Sequence, residues 1–309
     1  MNGSLTRSRS FSRRLAPAGA LATDRNRPRA PARGGFTLIE VMVVIAIIAI
    51  LATLTTLGVN KAVIYSRQVN TKTEMHVIEL SLTTAARVLG DVPYIPSRIT
   101  LFEDLTDPAA IASDPASVNL LSKMFPGFTS IDWDNNGSIS NTSATVLGAD
   151  KAWVFFLGGM QVGGVPIGFA KGVSPNDLTT TNRKGPFYDF KPNRLNKKGT
   201  FTYLDYWENE ALIVYSNMSK DPTSATLNAD NPNPAKFPSR YYKSSTPAVL
   251  FNNKGYQILS AGKDGSFATA QSGFASGTTP NVFIGYGDVG VGADDQANFS
   301  DSLLGKPID

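Results

Sequence analysis

Gly34-Gly35-Phe36-Thr37-Leu38-Ile39-Glu40-Val41 opens a stretch that runs on to Leu57 and decides how the rest of the chain is read. From Val41 to Asn60 no residue is charged, and Val43 to Leu51 consists only of Val, Ile, Ala and Leu. About 20 apolar residues cross the hydrocarbon core of a bilayer as a helix. In lipid a helix is favoured because it satisfies its own backbone. Glu40 stands where the run begins. A charge at bilayer depth costs about 2.5–3.5 kcal/mol on insertion scales, so a carboxylate kept there is a functional candidate.

Outward to the N-terminus, residues 1–35 carry eight Arg, no Lys and one acid, Asp24. The segment is rich in Ala, Pro and Ser and lacks apolar periodicity, which predicts disorder. Basic flanks stay cytoplasmic, so the leader faces inward and the C-terminal part outward. Arg13-Arg14 is not read as a twin-arginine signal, because Leu15 to Ala22 is short and broken by Pro17 and Gly19. The leader's net charge is +7, which leaves the remainder near −3 out of the chain's +4. The high isoelectric point is therefore a property of the leader, and nucleic-acid binding is not expected of the rest.

Gly35-Phe36-Thr37-Leu38-Ile39-Glu40 followed by an apolar helix resembles the prepilin signal of type IV pilins and type II secretion pseudopilins. The resemblance implies cleavage between Gly35 and Phe36 by a prepilin peptidase and N-methylation of Phe36. It also implies an assembly role for Glu40, paired in a fibre with a neighbour's new N-terminal ammonium. The implied partners are copies of this chain and other pilin-like subunits in a filament, and an inner-membrane assembly platform. The implied fold is α+β, a long N-terminal helix packed on an antiparallel β-sheet. Residues 1–35 form the leader to be removed, 36–89 the transmembrane and amphipathic helix, and 90–309 an exported globular domain.

Beyond Leu57 the run turns amphipathic. Ile64, Val69, Val77, Leu80, Thr84 and Val88 recur at helical spacing with charges mostly between them. This predicts one helix from Phe36 to Leu89, roughly 80 Å at 1.5 Å per residue, with that stripe packed under a sheet. Gly90 and Pro93 end it. Gly58 is a place for local bending. His76, the single His, reads as a surface or boundary residue.

The C-terminal part reads as loops and strands. Ser117–Met124 is a short helical segment. Strands are predicted at Ala152–Leu157, Ile167–Lys171, Ala211–Ser216, Ala248–Phe251, Tyr256–Ser260 and Asn281–Ile284. Asn252-Asn253-Lys254-Gly255 is a turn signal that makes Ala248 to Ser260 a β-hairpin. Two long loops, residues 172–202 and 220–243, interrupt the set. The aromatics Phe201, Tyr203, Tyr206 and Trp207 read as core or interface. Gly285-Tyr286-Gly287-Asp288-Val289-Gly290 matches G-x-G-x-x-G, but no helix pattern follows it, so it reads as a loop.

Two acidic segments are candidates for calcium. Ser260-Ala261-Gly262-Lys263-Asp264-Gly265 and the later Asp294-Asp295 pair resemble the C-terminal calcium loop of major pseudopilins. The resemblance implies Asp294 and Asp295 as ligands, with Asp264 next, although residues 266–291 separate the two halves. Asp132-Trp133-Asp134-Asn135-Asn136-Gly137-Ser138-Ile139 matches the first half of an EF-hand loop, with Asp132, Asp134 and Asn136 at positions one, three and five. Position twelve is Ser143 rather than the usual Glu. With no Cys in the chain, no disulfide closes its loops, and a metal ion would be one substitute.

One His, no Cys and no convergent catalytic spacing argue against an enzyme. The expected role is a structural pseudopilin of a type II secretion system in the inner membrane, with the N-terminus cytoplasmic and the C-terminal domain outside. The alternatives are a subunit of a surface fibre for adhesion, motility or DNA uptake, and a membrane-anchored binding or enzymatic domain.

Overall fold

The computed structural model describes residues 34–217, 230–234, 236–238, 240–245, 248–267, 293–301 and 303–304. The leader before Gly34, the Asn281–Ile284 strand and the Gly285–Gly290 loop lie outside the described residues. The chain divides into two compact units, residues 1–57 and 58–309, at the point where the apolar run gives way to the amphipathic one.

The described part of the first unit is the start of helix α1, Leu38–Val88. Its large apolar side chains between Leu38 and Leu54 are exposed. Thr53, Thr55 and Thr56 would be costly in lipid with free hydroxyls. Each donates instead to the carbonyl four residues back, on Ala49, Leu51 and Ala52, at 2.7–2.9 Å. Helix hydrogen bonding continues through Gly58.

The second unit contains the rest of α1 and an α+β domain. Among the described residues all its strand pairings are antiparallel, as expected, but they are spread over four small sheets. Strand β1 (Ile99–Leu101) pairs with β2 (Thr145–Leu147). Strands β3 (Met160–Val162), β4 (Val165–Ala170) and β5 (Arg183–Lys184) form a sheet in that order. Strand β6 (Ile213–Ser216) pairs with β9 (Tyr256–Ser260), which pairs with β10 (Gln296–Ala297). Strand β7 (Tyr242–Ser245) pairs with β8 (Ala248–Leu250). Helices α2 (Pro108–Ser113) and α3 (Pro115–Met124) are capped by Asp107 and Asp114, each followed by a Pro in the first turn.

The face of α1 that meets the domain differs from the expected one. Met75, Ile78, Leu82, Ala85 and Leu89 are fully buried, whereas Val69, Val77, Leu80 and Val88 are 44–69% exposed. The helix is apolar on two faces, and periodicity alone does not rank them. Polar partners decide between them, because Glu74 lies on the buried face and reaches a charge partner there. Its carboxylate accepts from both terminal nitrogens of Arg194, from Tyr188 Oη at 2.6 Å and from Tyr203 Oη at 3.1 Å. The Arg194 guanidinium lies over the rings of Tyr203 and Tyr206 at 4.6 and 4.2 Å. Glu79 accepts from the side-chain amides of Asn252 and Asn298 at 2.9 and 3.0 Å. Each buried large aliphatic adds about 1.5–3 kcal/mol, but the polar contacts fix which face it lies on.

Ala152–Leu157 is not a strand. It lies in helix α4, Ala152–Gly158, whose residues are all buried. A short run apolar on every side has no period to distinguish strand from helix, and only one of its six residues is β-branched. Gly159 ends the helix at φ +69°, and a Cβ there would sit 2.4 Å from the backbone of Gly168.

The Ala248–Ser260 hairpin also fails to form. The turn is present, with Gly255 N donating to Asn252 O at 3.0 Å, but it carries the chain from one sheet to another. Gln257, fully buried, fills the gap. Its side-chain oxygen accepts from Tyr241 N, and its amide donates to the carbonyls of Tyr241 and Phe251, all at 2.8–2.9 Å. Tyr203 and Trp207 are buried core residues, in line with the reading of that aromatic cluster. His76 is exposed.

Candidate processing and assembly site

Residues 34–37 are not helical, and the Gly35–Phe36 bond lies in this exposed stretch, just ahead of α1. A peptidase could therefore take the bond in extended form without unwinding a helix. A Cβ added at Gly34 or Gly35 would meet nothing within 4 Å. The fold itself does not require glycine at either position. Phe36 is 86% exposed.

Thr37 and Glu40 form a reciprocal capping box at the head of α1. Thr37 N and Thr37 Oγ1 donate to Glu40 Oε2 at 2.7 and 2.8 Å. In return Glu40 N donates to Thr37 Oγ1 at 3.3 Å. Thr-x-x-Glu is the sequence signature of such a box. Thr37 is a residue that the sequence analysis does not single out, although its spacing to Glu40 marks it. All three bonds involve residues after the Gly35–Phe36 bond, so cleavage leaves the box intact. In the single chain Glu40 thus carries its own donors on Oε2, and among the described residues none reaches its Oε1.

Of the calcium candidates, Asp264 and Asp294 meet despite the intervening residues. Pairing of β10 with β9 places Gln296 opposite Ser260, which brings the segment before it to the Gly262 turn. Asp264 N donates to Asp294 Oδ2 at 2.9 Å. A Cβ on Gly262 would overlap the Asp294 carbonyl, so only glycine fits this approach. Partial burial, opposed by the Ser266 N–H, and the nearby Asp294 charge push the Asp264 carboxyl up. Asp295 is buried, with 1% exposure. The donors are all hard oxygens, which suits calcium.

At the other candidate, Asp132 Oδ1 and Oδ2 accept from Asn136 N and Gly137 N at 3.2 and 2.8 Å. Asp134 Oδ1 accepts from Asn136 N, and Asp134 Oδ2 from the Asn136 side-chain amide. Asn136 Oδ1 is itself taken by Ser138 N at 2.7 Å. Among the described residues, one group of three carboxylates has its oxygens within 4.8 Å of one another, and it is Glu103, Asp132 and Asp134. The sequence reading missed Glu103, which lies outside the loop and has no motif of its own. The side chain of Ser143 is outside the described residues.

One helix among the described residues, α1, is long and apolar enough to cross a membrane, with a peak mean hydropathy of 2.7. Residues 31–56 match the family described as the prokaryotic N-terminal methylation motif. No curated protein and no solved structure matches the chain. The α+β fold behind a long N-terminal helix is consistent with a pilin-like protein. The N-terminal segment of this chain carries a prokaryotic N-terminal methylation motif, a type IV pilin-like prepilin signal of the kind that prepilin peptidase processes.

Proposed function

We propose that the chain is a structural pseudopilin of a type II secretion system. It is anchored by α1 with its N-terminus in the cytoplasm, cut before Phe36, and built into a short fibre outside the inner membrane that moves exported proteins. The observation that carries the subunit reading is the capped head of α1, with Glu40 presented beside the cleavable bond. The exposed Val69, Val77, Leu80 and Val88 support it, since they leave an apolar stripe for helices of further copies to cover. The approach of Asp294 to the Ser260–Gly265 turn favours the pseudopilin variant over a surface fibre. In this reading Asp264, Asp294 and Asp295 hold a structural calcium ion that closes the C-terminal loop in place of a disulfide. Neither the ion nor any other group takes part in a reaction, and the chain acts by assembly rather than catalysis.

Deleting the chain in its native host tests the reading. Exported proteins should accumulate behind the outer membrane while surface fibres persist. Loss of long extracellular fibres with normal secretion would favour the surface-fibre alternative.

A further inference from the structure

The subunit role makes no use of the loop from Asp132 to Ile139, whose tip, Asn136-Gly137, is exposed. The loop is fixed from outside. Ile131 N donates to Glu103 O at 2.8 Å, and Trp133 Nε1 to Phe102 O at 2.9 Å. The Trp133 ring packs against Phe125 and Phe155, at 5.8 and 5.5 Å between centroids. The Asn176 amide donates to Asp132 O and, at 3.1 Å, to Asn135 Oδ1. Asp132 is therefore held in place whatever happens at Asn136.

An asparagine side chain is open to attack by the backbone nitrogen of the next residue, and a following glycine leaves that nitrogen unhindered. Gly137 has φ +80°, and a Cβ there would meet nothing within 4 Å. Each reacting atom has a partner suited to its part. The attacking atom, Gly137 N, donates to Asp132 Oδ2 at 2.8 Å, so a carboxylate stands where its proton must go. The oxygen that gains charge, Asn136 Oδ1, accepts from Ser138 N at 2.7 Å. The leaving nitrogen, Asn136 Nδ2, donates to Asp134 Oδ2 at 2.8 Å. These last two bonds fix the plane of the amide. Asn136 N, which donates to Asp132 Oδ1 and Asp134 Oδ1, fixes the backbone beneath it.

We propose that Asn136-Gly137 is a self-modifying site, at which the folded loop converts the Asn136 amide to an acid. Gly137 N bonds to Asn136 Cγ as its proton passes to Asp132. The Cγ–Nδ2 bond then breaks, and ammonia leaves with that proton. Solvent water, which reaches the exposed pair, adds to either carbonyl of the resulting cyclic imide. Opening at the side-chain carbonyl leaves aspartate, and opening at the main-chain carbonyl leaves isoaspartate, whose backbone is longer by a methylene. Either product puts a further negative charge beside Asp132 and Asp134 and removes the amide that Asp134 accepts from, so the exposed face of the loop changes once and irreversibly. The site is separate from the Asp264–Asp294 turn and does not depend on the secretion reading.

The test holds the full chain at neutral pH, folded in detergent or unfolded in urea, and follows the peptide that contains Asn136 by mass spectrometry. The mass gain of an amide turned to an acid should accumulate at Asn136, with part of the product accepting a methyl group from an isoaspartyl methyltransferase. It should form about tenfold or more faster in the folded chain, because urea removes the aligned groups. Asp132→Asn and Ser138→Pro, which remove the proton acceptor and the N–H at Oδ1, should each slow the folded chain by about tenfold or more. Circular dichroism checks that both variants fold; if Asp132→Asn does not, Ser138→Pro, at an exposed residue, and the comparison with urea carry the test. No gain at Asn136, a rate in urea equal to or above that of the folded chain, or an undiminished rate in a folded variant would overturn the proposal.

Discussion

Asp205→Asn replaces a carboxyl group that is fully buried. Burial pushes this group from its ordinary value of 3.8 up to about 6, against hydrogen bonds from Ser260 Oγ, Trp207 N and Glu208 N and the charge of Arg194. Well below pH 3.8 the group is protonated whether the chain is folded or not, and the shift has no consequence. As pH rises the unfolded chain ionises first. The folded state then holds more protons, and stability falls until the folded carboxyl has also ionised, near pH 6. Two units at about 1.36 kcal/mol each make that fall about 3 kcal/mol. At about 2–4 °C per kcal/mol for a domain of this size, it amounts to about 10 °C in melting temperature. Asn keeps an oxygen for the two backbone N–H groups and has no charge to bury, so the variant should lack the decline. It should gain about 10 °C on the unsubstituted chain between about pH 4 and pH 7. Any fixed offset from the disturbed Ser260 bond leaves this slope unchanged. Circular dichroism melts of the full chain in detergent across that range measure it, and parallel curves for the two proteins would refute the reasoning.

The buried Glu74–Arg194 pair should respond in a non-additive way. Glu74→Leu or Arg194→Met alone leaves a charge buried without its partner and should cost about 3–5 kcal/mol, while the double variant should recover most of it. Thermal melts of all four proteins test this, and additive losses would contradict it. At the head of α1, Thr37→Ala should remove about 1 kcal/mol of capping and speed amide exchange in the first helical turn. Unchanged exchange there would remove the box from the account. Glu40→Ala should leave membrane insertion and cleavage intact but keep the subunit out of fibres, and normal incorporation would refute its assembly role.

What the sequence made legible was local and strongly patterned. Helix α1 begins and ends within two residues of the expected limits, because the apolar run, Thr37 and Gly90 act over short distances. Helix α3, the Asn252–Gly255 turn and the strands β4, β6, β8 and β9 follow from the same kind of signal. Whatever depended on distant partners was not legible. Periodicity shows α1 to be apolar but cannot rank its two apolar faces, because Arg194, which fixes Glu74 inward, lies 120 residues on. Ala152–Leu157 is apolar all round and carries no period at all. The Ala248–Ser260 hairpin is displaced because Gln257 replaces a ladder with side-chain bonds, and no propensity encodes that. Glu103 joins Asp132 and Asp134 through backbone contacts across 28 or more residues. Thr37 is different, because its Thr-x-x-Glu spacing is a local signal that needs no distant partner.

The mass of the N-terminus, in protein isolated from its native membrane, decides whether the prepilin signal is processed. Processing gives a chain that begins at Phe36 and carries a methyl group on its amine. An intact Met1, or a cut near Ala22, would contradict it, and the anchored-domain alternative would then take its place.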